Sequence, residues 1–185
     1  MPRIIAGAAG GRRLLVPTGR GTRPTSDRAR EALFSTLATM IDLRGARVLD
    51  LYAGSGALGF EALSRGAVGA LLVEDDPRTA RVIGRNIEAL GLPGARLVVD
   101  HVTRLLSRPA DAAYDVVVAD PPYSLSGREL TEMLGALVAG GWLAAGAVLA
   151  VERPSRGAPL RWPPGIEAVK TRRYGEGALW YGRAS

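Results

Sequence analysis

Apolar residues fall along this chain in two rhythms. From Ser26 or Asp27, either of which can cap a helix, Ala29, Ala32, Leu33, Leu37 and Met40 recur at helical spacing and predict an amphipathic helix to about Ile41. Beyond it the chain cycles between the two periods. Compact apolar runs at 46–51, 69–74, 95–99 and 114–119 predict buried strands. Each precedes a helical stretch: a Gly-rich loop with a helix to about Arg65, a helix from Pro77 to Leu90, a short helix, and a helix over 128–139. A strand at 145–152 follows, then two β-prone stretches, 166–174 and 178–183, with no helix between them. Alternating strands and helices imply an α/β class with a parallel sheet and right-handed crossovers, and the closing pair implies an antiparallel hairpin at its edge. The first residues differ. Ile4-Ile5 and Leu14-Leu15-Val16 are separated by Gly10-Gly11 and followed by Pro17, the pattern of a β-hairpin or extended arm. The expected division is an arm over 1–24 and a main domain over 25–185.

Composition narrows the chemistry. The 185 residues are 47% hydrophobic, enough for one substantial core. Met133 to Val151 runs 19 residues without a charge, but Gly135, Gly140, Gly141 and Gly146 interrupt it and Glu129, Glu132 and Glu152 flank it. A helix, a Gly140-Gly141 turn and a buried strand fit that stretch better than a membrane span. The opening Met-Pro-Arg-Ile-Ile-Ala-Gly is not the sustained apolar run of a signal peptide. Absence of cysteine removes disulfides, thiolate metal sites and a Cys nucleophile, and the single histidine, His101, cannot build a His-based metal site, so no metal is expected. Residues 1–30 hold seven arginines against one acid, so the whole formal charge of +6 sits there, as an electrostatic footprint for a polyanion does.

Candidate chemistry lies where strands end. Asp120-Pro121-Pro122-Tyr123 directly follows the apolar run Val116-Val117-Val118-Ala119. Two prolines cannot extend the ladder, so Asp120 is left at the carboxyl edge of the sheet, where open α/β sheets bind ligands. An acid, bare proline carbonyls and the flat face of Tyr123 suit a planar ring that carries an exocyclic amine. A second signal is Asp50-Leu51-Tyr52-Ala53-Gly54-Ser55-Gly56-Ala57-Leu58-Gly59, in which Gly54, Gly56 and Gly59 form a G-x-G-x-x-G loop between strand and helix. Asp50 just before the loop would repel a pyrophosphate and welcome hydroxyls and an ammonium. Glu74, at the next strand end, is placed to accept two ribose hydroxyls, and Asp100, after the third strand, is either an adenine acceptor or a helix cap. Asp75 and Asp76 precede Pro77 as caps, and His101 forms no evident triad. A nicotinamide-dependent oxidoreductase shares the glycines, and a non-catalytic RNA-binding factor would explain the basic arm. Neither accounts for the acids that end successive strands.

The order Asp-Leu-Tyr-Ala-Gly-Ser-Gly, then Glu74, then Asp-Pro-Pro-Tyr resembles the S-adenosylmethionine-dependent amino methyltransferases. Arg23-Pro24-Thr25-Ser26-Asp27-Arg28-Ala29-Arg30-Glu31-Ala32-Leu33-Phe34, with Arg3-Ile4-Ile5-Ala6-Gly7 and Gly11-Arg12, narrows the resemblance to the RsmD-type 16S rRNA guanine-N2 methyltransferases over nearly the whole chain. Asp-Pro-Pro-Tyr alone is shared with adenine-N6 and cytosine-N4 enzymes. The resemblance implies a Rossmann-like seven-stranded methyltransferase sheet with helices on both faces. It also implies a cytoplasmic monomer without membrane attachment, acting on 16S rRNA in a small-subunit assembly particle at the position called guanine-966. It assigns the catalytic turn to Asp120, Pro121, Pro122 and Tyr123. The cofactor contacts fall to Thr25, Arg28, Asp50, Ala53, Gly54, Ser55, Gly56, Glu74, Asp75, Asp100 and His101, and the RNA contacts to Arg3, Arg12, Arg13, Arg20 and Arg23.

Overall fold

The alternation of apolar runs becomes a single seven-stranded sheet in the computed structural model, which describes residues 1–19 and 25–185. In chain order the elements are α1 (Asp27–Met40), β1 (Arg47–Leu51), α2 (Ala57–Ser64), β2 (Gly69–Glu74), α3 (Pro77–Leu90) and β3 (Ala95–Val99). They continue as α4 (Val102–Leu106), β4 (Tyr114–Ala119), α5 (Gly127–Ala139), β5 (Leu143–Pro154), β6 (Ile166–Tyr174) and β7 (Gly177–Ala184). Local chemistry sets the helix ends. The Ser26 hydroxyl accepts the Ala29 N–H at the start of α1, Asp76 accepts that of Thr79 before α3, and Ser126 with Glu129 forms a capping box at α5. The uncharged stretch from Met133 divides into α5, a turn and β5, and among the described residues no helix is long and apolar enough to cross a membrane.

The strands lie in the order β3-β2-β1-β4-β5-β7-β6. The first five are parallel, and β7 inserts antiparallel between β5 and β6, so the predicted terminal hairpin closes one edge. Because β1 pairs with both β2 and β4, the chain reverses its direction of travel across the sheet there, and a crevice opens above the carboxyl ends of these strands. Side chains alternate strictly between two cores. Val48, Leu72, Val116, Val118, Val148 and Ala150 pack with α1, α2 and α3 on one face. Leu49, Leu51, Val117, Leu149 and Val151 pack with α4 and α5 on the other.

The N-terminal segment is a docked loop more than a hairpin. Its antiparallel pairing is confined to an Arg3–Arg13 bridge with a few flanking backbone bonds, because α2 claims the remaining donors. Glu61 accepts the N–H groups of Ile5 at 2.8 Å and Ala6 at 3.2 Å, and the Ser64 hydroxyl accepts that of Ala9 at 2.9 Å. Gly7 adopts φ 85°, and a Cβ there would stand 1.8 Å from the Ser64 carbonyl oxygen, so the close approach requires glycine. Ile4, Ala9 and Leu14 are buried in the same core as α1 and α2. The arm therefore contributes to the main core.

Candidate active site

Strand parity gathers the acids. Asp50, Glu74, Asp120 and Glu152 each continue the alternation of residues that face α1 and α2: Val48 precedes Asp50, Leu72 precedes Glu74, Val118 precedes Asp120 and Ala150 precedes Glu152. All four line one cavity of about 840 Å³ at the crevice, a size typical of small-molecule sites. Tyr52, Ala53, Gly54 and Ser55 line it, as do Thr25, Arg30, Asp75, Val102 and Asp120 to Tyr123. The arm adds Pro2, Val16, Pro17 and Gly19 to the same wall.

The Gly-rich loop is held from three sides. Gly54 N–H donates to Glu74 Oε2 at 2.9 Å, while Asp76 N–H reaches Oε1 at 3.3 Å. Gly59 N–H donates to Asp50 Oδ2 at 2.9 Å, so this strand-end carboxylate satisfies a first-turn donor of α2 that the N-cap Gly56, lacking a side chain, cannot. The Asn86 side chain, from α3, donates to the Ser55 carbonyl at 3.0 Å and exchanges two bonds with the Leu15 backbone, joining loop, helix and arm. Tyr52 adopts φ 59°, a strained conformation for a residue with a Cβ, where the chain turns from β1 into the loop. Gly56 itself does not line the cavity. Its φ is 84°, and a Cβ there would lie 2.5 Å from the Phe60 ring.

On the opposite wall, β4 and β5 pair in parallel up to Ala119 and Val151, so Asp120 and Glu152 follow side by side on one face. The Thr25 hydroxyl donates to Glu152 Oε2 at 3.2 Å and also lies against the Asp120 carboxylate. Burial and the neighbouring Glu152 push Asp120 up to about 7, against the pull of Thr25. Burial likewise raises Glu152 and Glu74. Asp50, fully buried, is raised most clearly, by desolvation that the Gly59 N–H only partly offsets. The turn after Asp120 is pinned from β5: Arg153 donates to the Leu125 carbonyl at 2.7 Å and reaches that of Pro122 at 3.5 Å. Leu125 N–H also donates to the Pro122 carbonyl, at 3.0 Å, so that carbonyl is engaged within the turn. Tyr123 is 51% exposed at the cavity mouth.

Several predicted residues lie elsewhere. The Asp100 carboxylate accepts the His101 N–H at 2.8 Å and pairs with Arg104 and Arg108, outside the cavity lining. The pleat explains this: Val99 is the register partner of Glu74, so Asp100 falls on the other face, and Val102 takes its place in the wall. His101 also stands outside the lining, with Nδ1 3.1 Å from Asp75; Asp75 lines the cavity, and Asp76 alone caps α3. Arg28 is exposed on α1. Two positions on, Arg30 reaches the cavity, fully buried, donating to Asp27 at 2.6 Å and to the Arg3 carbonyl at 2.5 Å, with Nε and Nη1 lacking hydrogen-bond partners. Arg20 and Arg23 lie outside the described residues. Arg3 and Arg13 are exposed, whereas the Arg12 guanidinium donates to the Leu90 carbonyl at 2.9 Å and to that of Ala89. Glu152, Arg30, Asn86 and Arg153 escaped the sequence reading. Only Glu152 carried a signal there, as an acid ending an apolar strand like the other three.

A cofactor with hydroxyls at one end and an amino-acid group at the other fits this wall. Glu74 offers a carboxylate beside the Gly54 loop, and on the other side Arg30, whose Nε is ion-paired with Glu61 Oε1 at 3.8 Å, keeps Nη1 without a hydrogen-bond partner.

A family model described as conserved hypothetical protein 95 matches residues 2–183. The chain is 42% identical over 150 residues to ribosomal RNA small subunit methyltransferase D of Escherichia coli (strain K12), covering 81% of this chain and 73% of that protein. With the protein of the same name from Haemophilus influenzae it is 35% identical over 176 residues, covering 94% and 89%. Among solved structures, an Escherichia coli protein superimposes with a TM-score of 0.86 at 36% identity, covering 100% of this chain and 98% of that one. A hypothetical protein from Thermus thermophilus gives 0.77 at 35% identity, with 98% of each chain covered. The match spans the arm, the Gly-rich loop and the Asp-Pro-Pro-Tyr turn together, and the chain belongs to the ribosomal RNA small subunit methyltransferase D family of Rossmann-like methyltransferases.

Proposed function

We propose that this protein transfers a methyl group from S-adenosylmethionine to the exocyclic N2 amine of a guanine in 16S rRNA, within a small-subunit assembly particle. The observation that carries the reading is the Asp120 carboxylate at the end of β4, on the wall of the same cavity as Glu74 and the Gly54 loop. The names of the curated relatives support rRNA as the substrate class. S-adenosylmethionine, when bound, supplies an electrophilic methyl group. Glu74 would accept its ribose hydroxyls, and Arg30 would meet its carboxylate. Asp120 and the Pro121 carbonyl accept the two N–H groups of the target amine, which turns the nitrogen lone pair toward the methyl donor and stabilises the positive charge that develops on nitrogen. No covalent intermediate with the protein is needed, in keeping with a chain that has no cysteine. Positioning of this kind contributes up to roughly 7–11 kcal/mol, and preorganised charge adds to it. Tyr123 at the mouth offers a stacking face, and the target base must be unpaired or flipped out to reach it.

Labelled methyl transfer to small-subunit particles from cells lacking the enzyme, followed by nucleoside analysis, tests the reading. N2-methylguanosine is expected. N6-methyladenosine would replace it with the adenine alternative, and no transfer to any RNA would favour a binding factor. In the same assay Asp120→Ala should lower turnover by on the order of 100-fold while cofactor affinity stays within a few-fold.

A further inference from the structure

Asp-Pro-Pro-Tyr holds an amine but does not say which base carries it, so base choice must come from outside the motif. We propose that Glu152 is the selector: it takes the N1–H of guanine while Asp120 holds the adjacent N2 amine. This rests on the reading of the cavity as an amine-methylation site.

Three observations carry it. First, the register that ends at Ala119 and Val151 sets the two carboxylates on neighbouring strands, facing the same way. Second, among the described residues the Thr25 hydroxyl is the side-chain donor that meets both: its single proton goes to Glu152 Oε2 at 3.2 Å, while Asp120 lies against the same side chain. Two half-buried acids on one hydroxyl proton call for a ligand presenting donors to both. Third, Glu152, Thr25 and Tyr123 also line a smaller hollow of about 220 Å³ between the start of α1 and the β6–β7 turn. Glu152 thus stands where the cofactor cavity meets space open to a substrate.

Edge chemistry does the selecting. Guanine presents N1–H beside its N2 amine, donor next to donor. Adenine and cytosine each present a bare ring nitrogen beside the amine, donor next to acceptor. An ionised carboxylate is an acceptor only, so Glu152 would set lone pair against lone pair with either of them. A repulsive element of this kind discriminates more strongly than a shape fit, because the wrong base leaves a buried polar group unpaired.

The test uses 2-aminopurine, which has the same N2 amine and no N1–H. Small-subunit particles are rebuilt on 16S rRNA ligated to carry guanine, 2-aminopurine or adenine at the position the wild-type protein methylates. Wild-type kcat/KM should favour guanine over 2-aminopurine by about 100-fold or more. In Glu152→Gln the amide can donate to a bare N1, so the preference should fall to within about tenfold, with guanine methylation itself reduced. Calorimetric S-adenosylmethionine affinity should match wild type, and the variant should melt no lower than wild type, which shows that it folds. An unchanged base preference in Glu152→Gln overturns the assignment, and a cofactor affinity lowered tenfold with that preference intact places Glu152 at the cofactor. Failure of wild type to methylate any guanine-bearing particle overturns the methylation reading itself, an outcome distinct from both.

Discussion

Asp120 sits beside a second carboxylate in a partly dry wall, and its titration near 7 follows from burial first and Glu152 second. Only the ionised form fully offsets the positive charge that grows on a methylated nitrogen. Single-turnover rates should therefore rise with pH between about 6 and 8, with a midpoint near 7, and level off above. In Glu152→Gln burial remains but the like charge is gone, so the rising limb should move to lower pH. A limb that stays put, or moves upward, would mean that Glu152 does not set the Asp120 titration. Asp120 was legible in the sequence because its placement is local: two prolines end a strand wherever they occur. Glu152 carried a signal only as an acid at a strand end, because its meaning comes from a neighbour distant in the chain that the β4–β5 register brings beside it. Asp100 lies outside the cavity lining for the related reason that ending a strand does not say which face the side chain takes.

At the scale of elements, apolar rhythm and cap residues place strands and helices almost to the residue, because burial and capping are set within a few positions. The arm resisted that reading. Its donors are satisfied by Glu61 and Ser64, polar residues on an otherwise apolar α2, and nothing near Ile5 announces such partners. Its arginines read as one basic block, yet they divide into two kinds. Arg12 holds the last carbonyls of α3, while Arg13 is exposed. Arg12→Ala should cost about 1 kcal/mol and lower the melting temperature by about 2–4 °C, as loss of a helix C-terminal contact does. Arg13→Ala should leave melting unchanged and weaken RNA binding, and if it neutralises one phosphate the salt slope should fall by roughly 0.7 on single strands. Equal melting losses in the two variants would show that both arginines serve packing.

For the whole molecule, the sheet gathers four carboxylates under one roof, and burial raises the titration of each. A folded-state value above the unfolded one means that the native protein binds more protons through the intervening pH range. The stabilising contribution is then complete below the ordinary carboxylate range and is lost as pH rises through the folded value. For Asp120 that window runs from about 4 to about 7. The site is thus held against the fold's own preference. Asp120 is disfavoured in its ionised form, and a neutral isostere should relieve the strain. Asp120→Asn should melt at the same temperature as wild type at the acid end of that window. It should melt progressively higher as pH rises, with the difference levelling off above about 7, while methyl transfer is lost at every pH. Paired thermal melts across the pH range without cofactor measure this directly. A difference that shrinks with rising pH, or an Asn variant less stable than wild type at pH 8, would show that the Asp120 carboxylate is stabilised in the fold and that the crevice is not the charge-stressed pocket its burial implies.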